Sequence, residues 1–229
     1  MKPWSILAAL ALSTAACAPD PCHRLAPGEA AVENACRTFP GLEEARPGAE
    51  LVRVAGEITA DTHWTADRVW VLRDFVFVRG PAVLRIDPGT EIRGERGSAL
   101  VIARGAKIIA EGTREQPIVF TSSKPPGARY RGDWGGVNLL GRAPLNIAGG
   151  ENALSGMPIS NGLGFYGGDD PEDSSGVMRF VRIEFAGYPL TPDTKLNGFT
   201  CAGCGRGTVL EYLQVHRAAD DGIEFFGGT

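Results

Sequence analysis

Val83-Leu84-Arg85-Ile86-Asp87-Pro88-Gly89-Thr90-Glu91-Ile92, laid over Ala99-Leu100-Val101-Ile102-Ala103-Arg104-Gly105-Ala106-Lys107-Ile108, decides the fold. At this 16-residue shift Leu84 falls on Leu100, Ile86 on Ile102, Gly89 on Gly105 and Ile92 on Ile108. Pro117-Ile118-Val119-Phe120 then opens another strand. Further on, Val177-Met178-Arg179-Phe180-Val181-Arg182-Ile183 falls on Val209-Leu210-Glu211-Tyr212-Leu213-Gln214-Val215 at a shift of 32. Apolar positions that return in register, with insertions of variable length between them, are what stacked coils produce, because one coil cannot bury its apolar face alone. The spacing predicts short coils of about 16–18 residues, with Leu84 over Leu100 and Val181 over Leu213. No segment keeps a 3.6-residue apolar rhythm over helical length. The fold class is therefore all-β, a parallel β-helix over residues 51–229, and the handedness of parallel crossovers makes it right-handed. An antiparallel sandwich would use turns such as Asn197-Gly198 and Asp221-Gly222, but it gives no reason for apolar positions to recur at coil spacing.

The bulk properties agree with a folded, turn-rich chain. Of 229 residues 43% are hydrophobic, which excludes wholesale disorder, and the 31 glycines and 16 prolines suit many tight corners. A net charge of −4 without a basic cluster excludes nucleic acid as a partner.

The first residues read as an export signal. Lys2 precedes the apolar run Ile6 to Leu12, too short to span a bilayer. Ser13-Thr14-Ala15-Ala16-Cys17 resembles the lipobox of bacterial lipoproteins, in which the cysteine becomes the acylated N-terminus. Ordinary signal cleavage at Ala16-Cys17-Ala18 is the alternative. The expected organisation is a lipoprotein signal peptide over 1–16, a lipid-anchored tether over 17–50 with one short helix near Glu29 to Cys36, and the β-helix over 51–229. With Cys17 assigned to lipid, Cys22 and Cys36 remain near the start and Cys201 and Cys204 near the end, all disulfide candidates in an oxidising compartment.

Several motifs resemble, in one order, a group of bacterial β-helix surface lipoproteins. They are Asp87-Pro88-Gly89-Thr90, the run Gly105 to Thr113, Pro117 to Ser122, Gly132-Asp133-Trp134-Gly135-Gly136, Arg179 to Gly187 and His216 to Phe225. The resemblance covers residue 50 onward and implies an exported, outer-membrane-associated or cell-surface solenoid. It brings no reaction with it. Relatives in that group continue past Gly227-Gly228-Thr229, and Ile223 to Thr229 has strand character without a polar cap. The expectation is a domain incomplete at its C-terminal end. A partner's strand or strand-edge self-association are the alternatives.

Candidate chemistry is sparse. Asp169, Asp170, Glu172 and Asp173 crowd one loop and could supply oxygens to Ca²⁺, the one cofactor the sequence suggests. A solvated acidic turn is the plain alternative. Asp220-Asp221 would suit a glycosidase pair, but neighbours on a regular strand face opposite ways. The 32-residue register puts His216 over Glu184, a surface ladder pair. His23 and His63 have no ligand-like companions. Cys201-Ala202-Gly203-Cys204 lacks the helix of a redox motif and the second pair of a zinc site. Trp134 reads as buried beneath a glycine turn in preference to a sugar platform. The functional expectation is a lipid-anchored envelope module without catalysis, binding a polysaccharide or an envelope protein or serving as a scaffold. A truncated carbohydrate-active enzyme, lyase or hydrolase, is the alternative. The anchor has a direct check: Cys17→Ser should move the protein from the detergent-extracted membrane fraction to the soluble fraction, and unchanged membrane recovery would rule out acylation at Cys17.

Overall fold

The computed structural model describes residues 49–159 and 161–229. Cys17, Cys22, Cys36 and the short helix expected before residue 37 lie outside them. Every regular element in the described residues is a strand.

Strands start at Val83, Glu91, Ala99 and Lys107, steps of eight residues. Each unit is a four- or five-residue strand followed by a corner, and the corners at Gly89, Gly97 and Gly105 have φ of 77°, 77° and 81°. That left-handed conformation is open to glycine at no steric cost. Three units make one winding, so the chain returns over itself after about 24 residues and presents three flat faces, A, B and C. β1 (Glu50–Ile58) enters along faces B and C, and β2 (Thr62–Trp64) opens face A. β3 (Arg68–Val78) bends from face B to face C within one strand. The regular winding follows as β4 (Val83–Ile86), β5 (Glu91–Gly94) and β6 (Ala99–Ile102). The next is β7 (Lys107–Glu111), β8 (Ile118–Ser122) and β9 (Val137–Leu140). An antiparallel hairpin of β10 (Glu151–Ala153) and β11 (Phe165–Gly167) interrupts before β12 (Gly176–Glu184), which bends from A to B. A second hairpin, β13 (Pro189–Thr191) and β14 (Thr194–Lys195), precedes β15 (Phe199–Ala202) on face C. β16 (Val209–His216) and β17 (Ile223–Phe226) form the last winding.

The register corrects the coil length read from sequence. Leu84 stacks on Ile108, 24 residues on, and not on Leu100. Leu100 lies on face C between Val76 and Val137. A 16-residue shift spans two eight-residue units, so it keeps the inward alternation and the corner glycine while moving to a different face. The 32-residue match, by contrast, is one full winding, and Val181 pairs with Leu213.

Inward side chains form columns. Trp70, Ile92, Phe120 and Ile183 stack under face B, and Leu100, Val137 and Phe199 under face C, all at 0–8% exposure. Full burial of such a side chain contributes about 1.5–3 kcal/mol, so the columns hold the faces together. Face C is also covered outside: Phe77, Val101, Leu140 and Ala202 pack against Leu154, Met157, Leu163 and Tyr166 of the first excursion and Leu196 near the second. Face B keeps an accessible outer surface.

Face B carries the backbone outliers of the late windings. Phe180 and Tyr212 (φ 47° and 54°) stand just before its strands in β12 and β16, and Phe185 and Arg217 (φ 59° and 55°) just after them. A left-handed backbone costs a bulky L-residue about 1–2 kcal/mol. The Phe180 and Tyr212 rings stack at 4.4 Å and 9°, which contributes about 0.5–1.5 kcal/mol, less than the two backbones cost together.

The register is open to a crosslinking check. Arg85→Cys with Ile109→Cys, neighbours across β4 and β7, should form a disulfide under mild oxidation. Arg85→Cys with Val101→Cys, the pair a 16-residue winding would stack, should not.

Candidate functional site

Face B exposes polar residues because its alternate positions point outward. Glu91 and Arg93 flank the inward Ile92, while Arg182 and Glu184 flank the inward Ile183. The two triplets repeat one pattern with the signs exchanged. Register aligns Glu91 with Val119, Val119 with Arg182, and Arg182 with Gln214, and it aligns Arg93 with Thr121. Nε of Arg93, a side chain only 1% exposed, lies 2.7 Å from Glu91 Oε1, and Arg182 Nε lies 2.6 Å from Glu184 Oε1. The Thr121 hydroxyl donates to Glu184 Oε2 at 2.9 Å.

Residues 123–133 arch from the end of β8 over one edge of this floor, and Asp133 pins them. Its carboxylate accepts from the Ser122 hydroxyl at 2.6 Å and the Tyr130 backbone N–H at 2.9 Å, and pairs with Lys124 Nζ at 2.9 Å. Both charged side chains are largely buried. Arg129 hangs from the inner side of the arch, its Nε donating to the Lys124 carbonyl at 2.9 Å and its Nη1 to the Thr121 hydroxyl at 3.1 Å. The result is a cleft of about 320 Å³. Gly89, Thr90 and Glu91 form one rim, Val119 and Thr121 the floor, and Pro126 and Arg129 the other rim.

Among the described residues around this cleft, Arg129 is the cation that pairs with no carboxylate. Nearby carboxylates are engaged by other cations: Glu91 by Arg93, Glu184 by Arg182, Asp133 by Lys124. The hydrogen bonds of Arg129 end on neutral oxygens. Burial lowers its pKa from the ordinary guanidinium value, and the positive charge of Arg93 lowers it further, against the opposing pull of Glu91, Glu184 and Asp133. A half-buried cation in that situation is stabilised by an incoming anion.

The residues singled out in the sequence fare unevenly. Cys201 and Cys204 form a disulfide with Cα atoms 5.8 Å apart at the corner after β15. The acidic loop does not converge: Glu172 pairs with Arg206 at 2.6 Å, Asp170 Oδ1 accepts the Glu172 N–H at 3.0 Å, Asp173 is buried, and Asp169 is exposed. Among the described residues, no three His, Cys, Asp or Glu side chains are grouped to hold a metal ion. Glu184 and His216 are in register as read, but the surface ladder pair is corrected. Glu184 is buried and turned to Thr121 and Arg182, while the His216 ring meets Phe185 edge-on at 5.8 Å. Trp134 is fully buried and donates from Nε1 to the Glu184 carbonyl at 2.8 Å. Asp220 and Asp221 are exposed in the bend before β17. His63, for which no ligand-like companions are expected, has Asp87 Oδ1 at 2.7 Å and belongs to no metal-holding group among the described residues. The sequence reading passed over Arg93 and Arg129. The Glu91-x-Arg93 and Arg182-x-Glu184 triplets signal a shared charged surface, since residues two apart on a strand share a face; for Arg129 no local signal exists.

Asp133→Ala removes the acceptor that Ser122, Lys124 and Tyr130 share and should lower stability by about 3–5 kcal/mol, read as a fall in the urea midpoint. Asp169→Ala, on the exposed side of the acidic loop, should leave the midpoint unchanged.

Neither the curated proteins nor the solved structures contain a significant match to the chain. The family model described as a pectate-lyase-like β-helix domain matches residues 56–229, three-quarters of the sequence, from the end of β1 through β17. The chain therefore belongs to the pectate-lyase-like β-helix family.

Proposed function

We propose that the protein is an exported envelope module, anchored through lipid on Cys17, that binds an acidic polysaccharide in the face-B cleft. The observation that carries this reading is Arg129, a half-buried guanidinium over an open cleft whose own hydrogen bonds reach only neutral oxygens. A carboxylate on a sugar ring supplies the charge and the two-oxygen geometry that a guanidinium matches. The floor beside it, Val119 and Thr121, is held rigid by the β5, β8 and β12 hydrogen bonds, so little ordering is needed on binding. The family description, which refers to pectate, an acidic polymer, points the same way. The lipobox-like Cys17 and the preceding apolar run support the anchored location.

A second reading, a polysaccharide lyase, has one observation in its favour. The family model that matches residues 56–229 is described as pectate-lyase-like.

Calorimetric titration with oligogalacturonate separates these outcomes. Wild-type protein should bind, a neutral oligosaccharide of equal length should not, and Arg129→Gln should weaken binding about 10-fold or more, the size of a lost charged hydrogen bond. Absence of wild-type binding overturns the reading. Accumulation of unsaturated uronate products, lost in Arg129→Gln, would decide for the lyase.

A further inference from the structure

We infer that face B carries an uncharged sugar subsite beyond the cleft, in which the Tyr212 ring, backed by Phe180, takes the C–H face of a pyranose. This rests on the polysaccharide reading of the Arg129 cleft and extends it along the solenoid axis. Three observations meet at this place. The first is position: Phe180 and Tyr212 occupy the corner between faces A and B, the same edge that supplies the Gly89, Thr90 and Glu91 rim of the cleft. Neighbouring strands are about 4.8 Å apart. Gln214, two strands beyond Val119 in the outward column, is thus on the order of 10 Å from the cleft floor, within reach of one polymer.

The second is conformation. Both aromatic residues sit at positive φ, where glycine or asparagine would fit with less strain. The corresponding corner of the preceding winding, Glu111-Gly112-Thr113, has no aromatic residue. Strained non-glycine positions gather at ligand clamps.

The third is exposure. Tyr212 is 70% exposed although its ring is held nearly parallel to Phe180 at 4.4 Å, which fixes its orientation without burying it. Such a ring is an apolar, electron-rich plate already in place for a sugar C–H face. Arg182 and Gln214, in register beside it on the floor, offer donors to sugar hydroxyls.

The test uses the whole protein, titrated calorimetrically with oligogalacturonates of two and six sugars alongside thermal melts. Tyr212→Asn should weaken hexamer binding about 3–10-fold, leave dimer binding unchanged, and raise the melting temperature by about 2–4 °C, because asparagine accepts the left-handed backbone. Tyr212→Phe should bind as wild type does. Hexamer affinity unchanged in Tyr212→Asn overturns the subsite while leaving the Arg129 cleft standing. A lowered melting temperature in that variant assigns the ring a structural role and also overturns it. Failure of wild-type protein to bind either oligomer removes the cleft reading, and the subsite with it.

Discussion

Backbone hydrogen bonding between parallel strands that return once per winding, after 24 residues where no insertion intervenes between β4 and β7, is the constraint on which everything else in this molecule depends. It requires each strand to lie over its predecessor, as Leu84 lies over Ile108, and therefore requires inward and outward positions to keep their sense from one winding to the next. The inward positions become continuous apolar columns. The outward positions become equally continuous rows, and on face B those rows bring Glu91, Arg182 and Gln214 into line although they are far apart in sequence. A cluster of charges on a solenoid is thus a consequence of register. Its precision comes from the same ladder that stabilises the fold.

Insertions are tolerated only where the ladder is not broken, at corners, and their placement decides which face is left for function. Two excursions fold outward over face C and bury Phe77, Val101 and Leu140 in a second apolar cluster. The third, residues 123–133, carries Lys124, Asp133 and Arg129 and stands over face B. It is fastened by a buried ion pair. Buried pairs of this kind add little net stability over an apolar pair of the same shape, but they fix geometry, and here the fixed geometry holds Arg129 over the cleft floor.

The architecture was legible in the sequence because apolar alternation and corner glycines are local signals that survive any shift by whole units. For the same reason the sequence did not distinguish two units from three, and the 16-residue match of Leu84 with Leu100 aligned different faces of the winding. The longer match was safe: Arg179 to Glu184 and Glu211 to His216 share their left-handed corners as well as their alternation. Glu184 was read as an outward surface residue, which its register supports. Its burial depends on Thr121, Arg182 and an arch reaching in from another winding, none of them visible in local pattern. Arg129 was invisible for a similar reason, since a lone arginine in the polar stretch Pro125 to Arg131 has no periodicity to announce it.

Rigid scaffolds favour ligands that are themselves long and regular. Successive windings repeat outward positions at the spacing of β-strands, so a site built on one face extends naturally as a track, and each added winding can contribute another contact without rearrangement. The charges on face B are mostly paired internally, which removes them as strong anion sites and leaves them as hydrogen-bond donors and acceptors. Among the described residues around the cleft, Arg129 is the cation whose hydrogen bonds end on neutral oxygens. A ligand that satisfies one cation at one point and offers hydroxyls and apolar ring faces elsewhere fits that distribution better than a small free anion, which would use the cation and leave the rest of the face untouched.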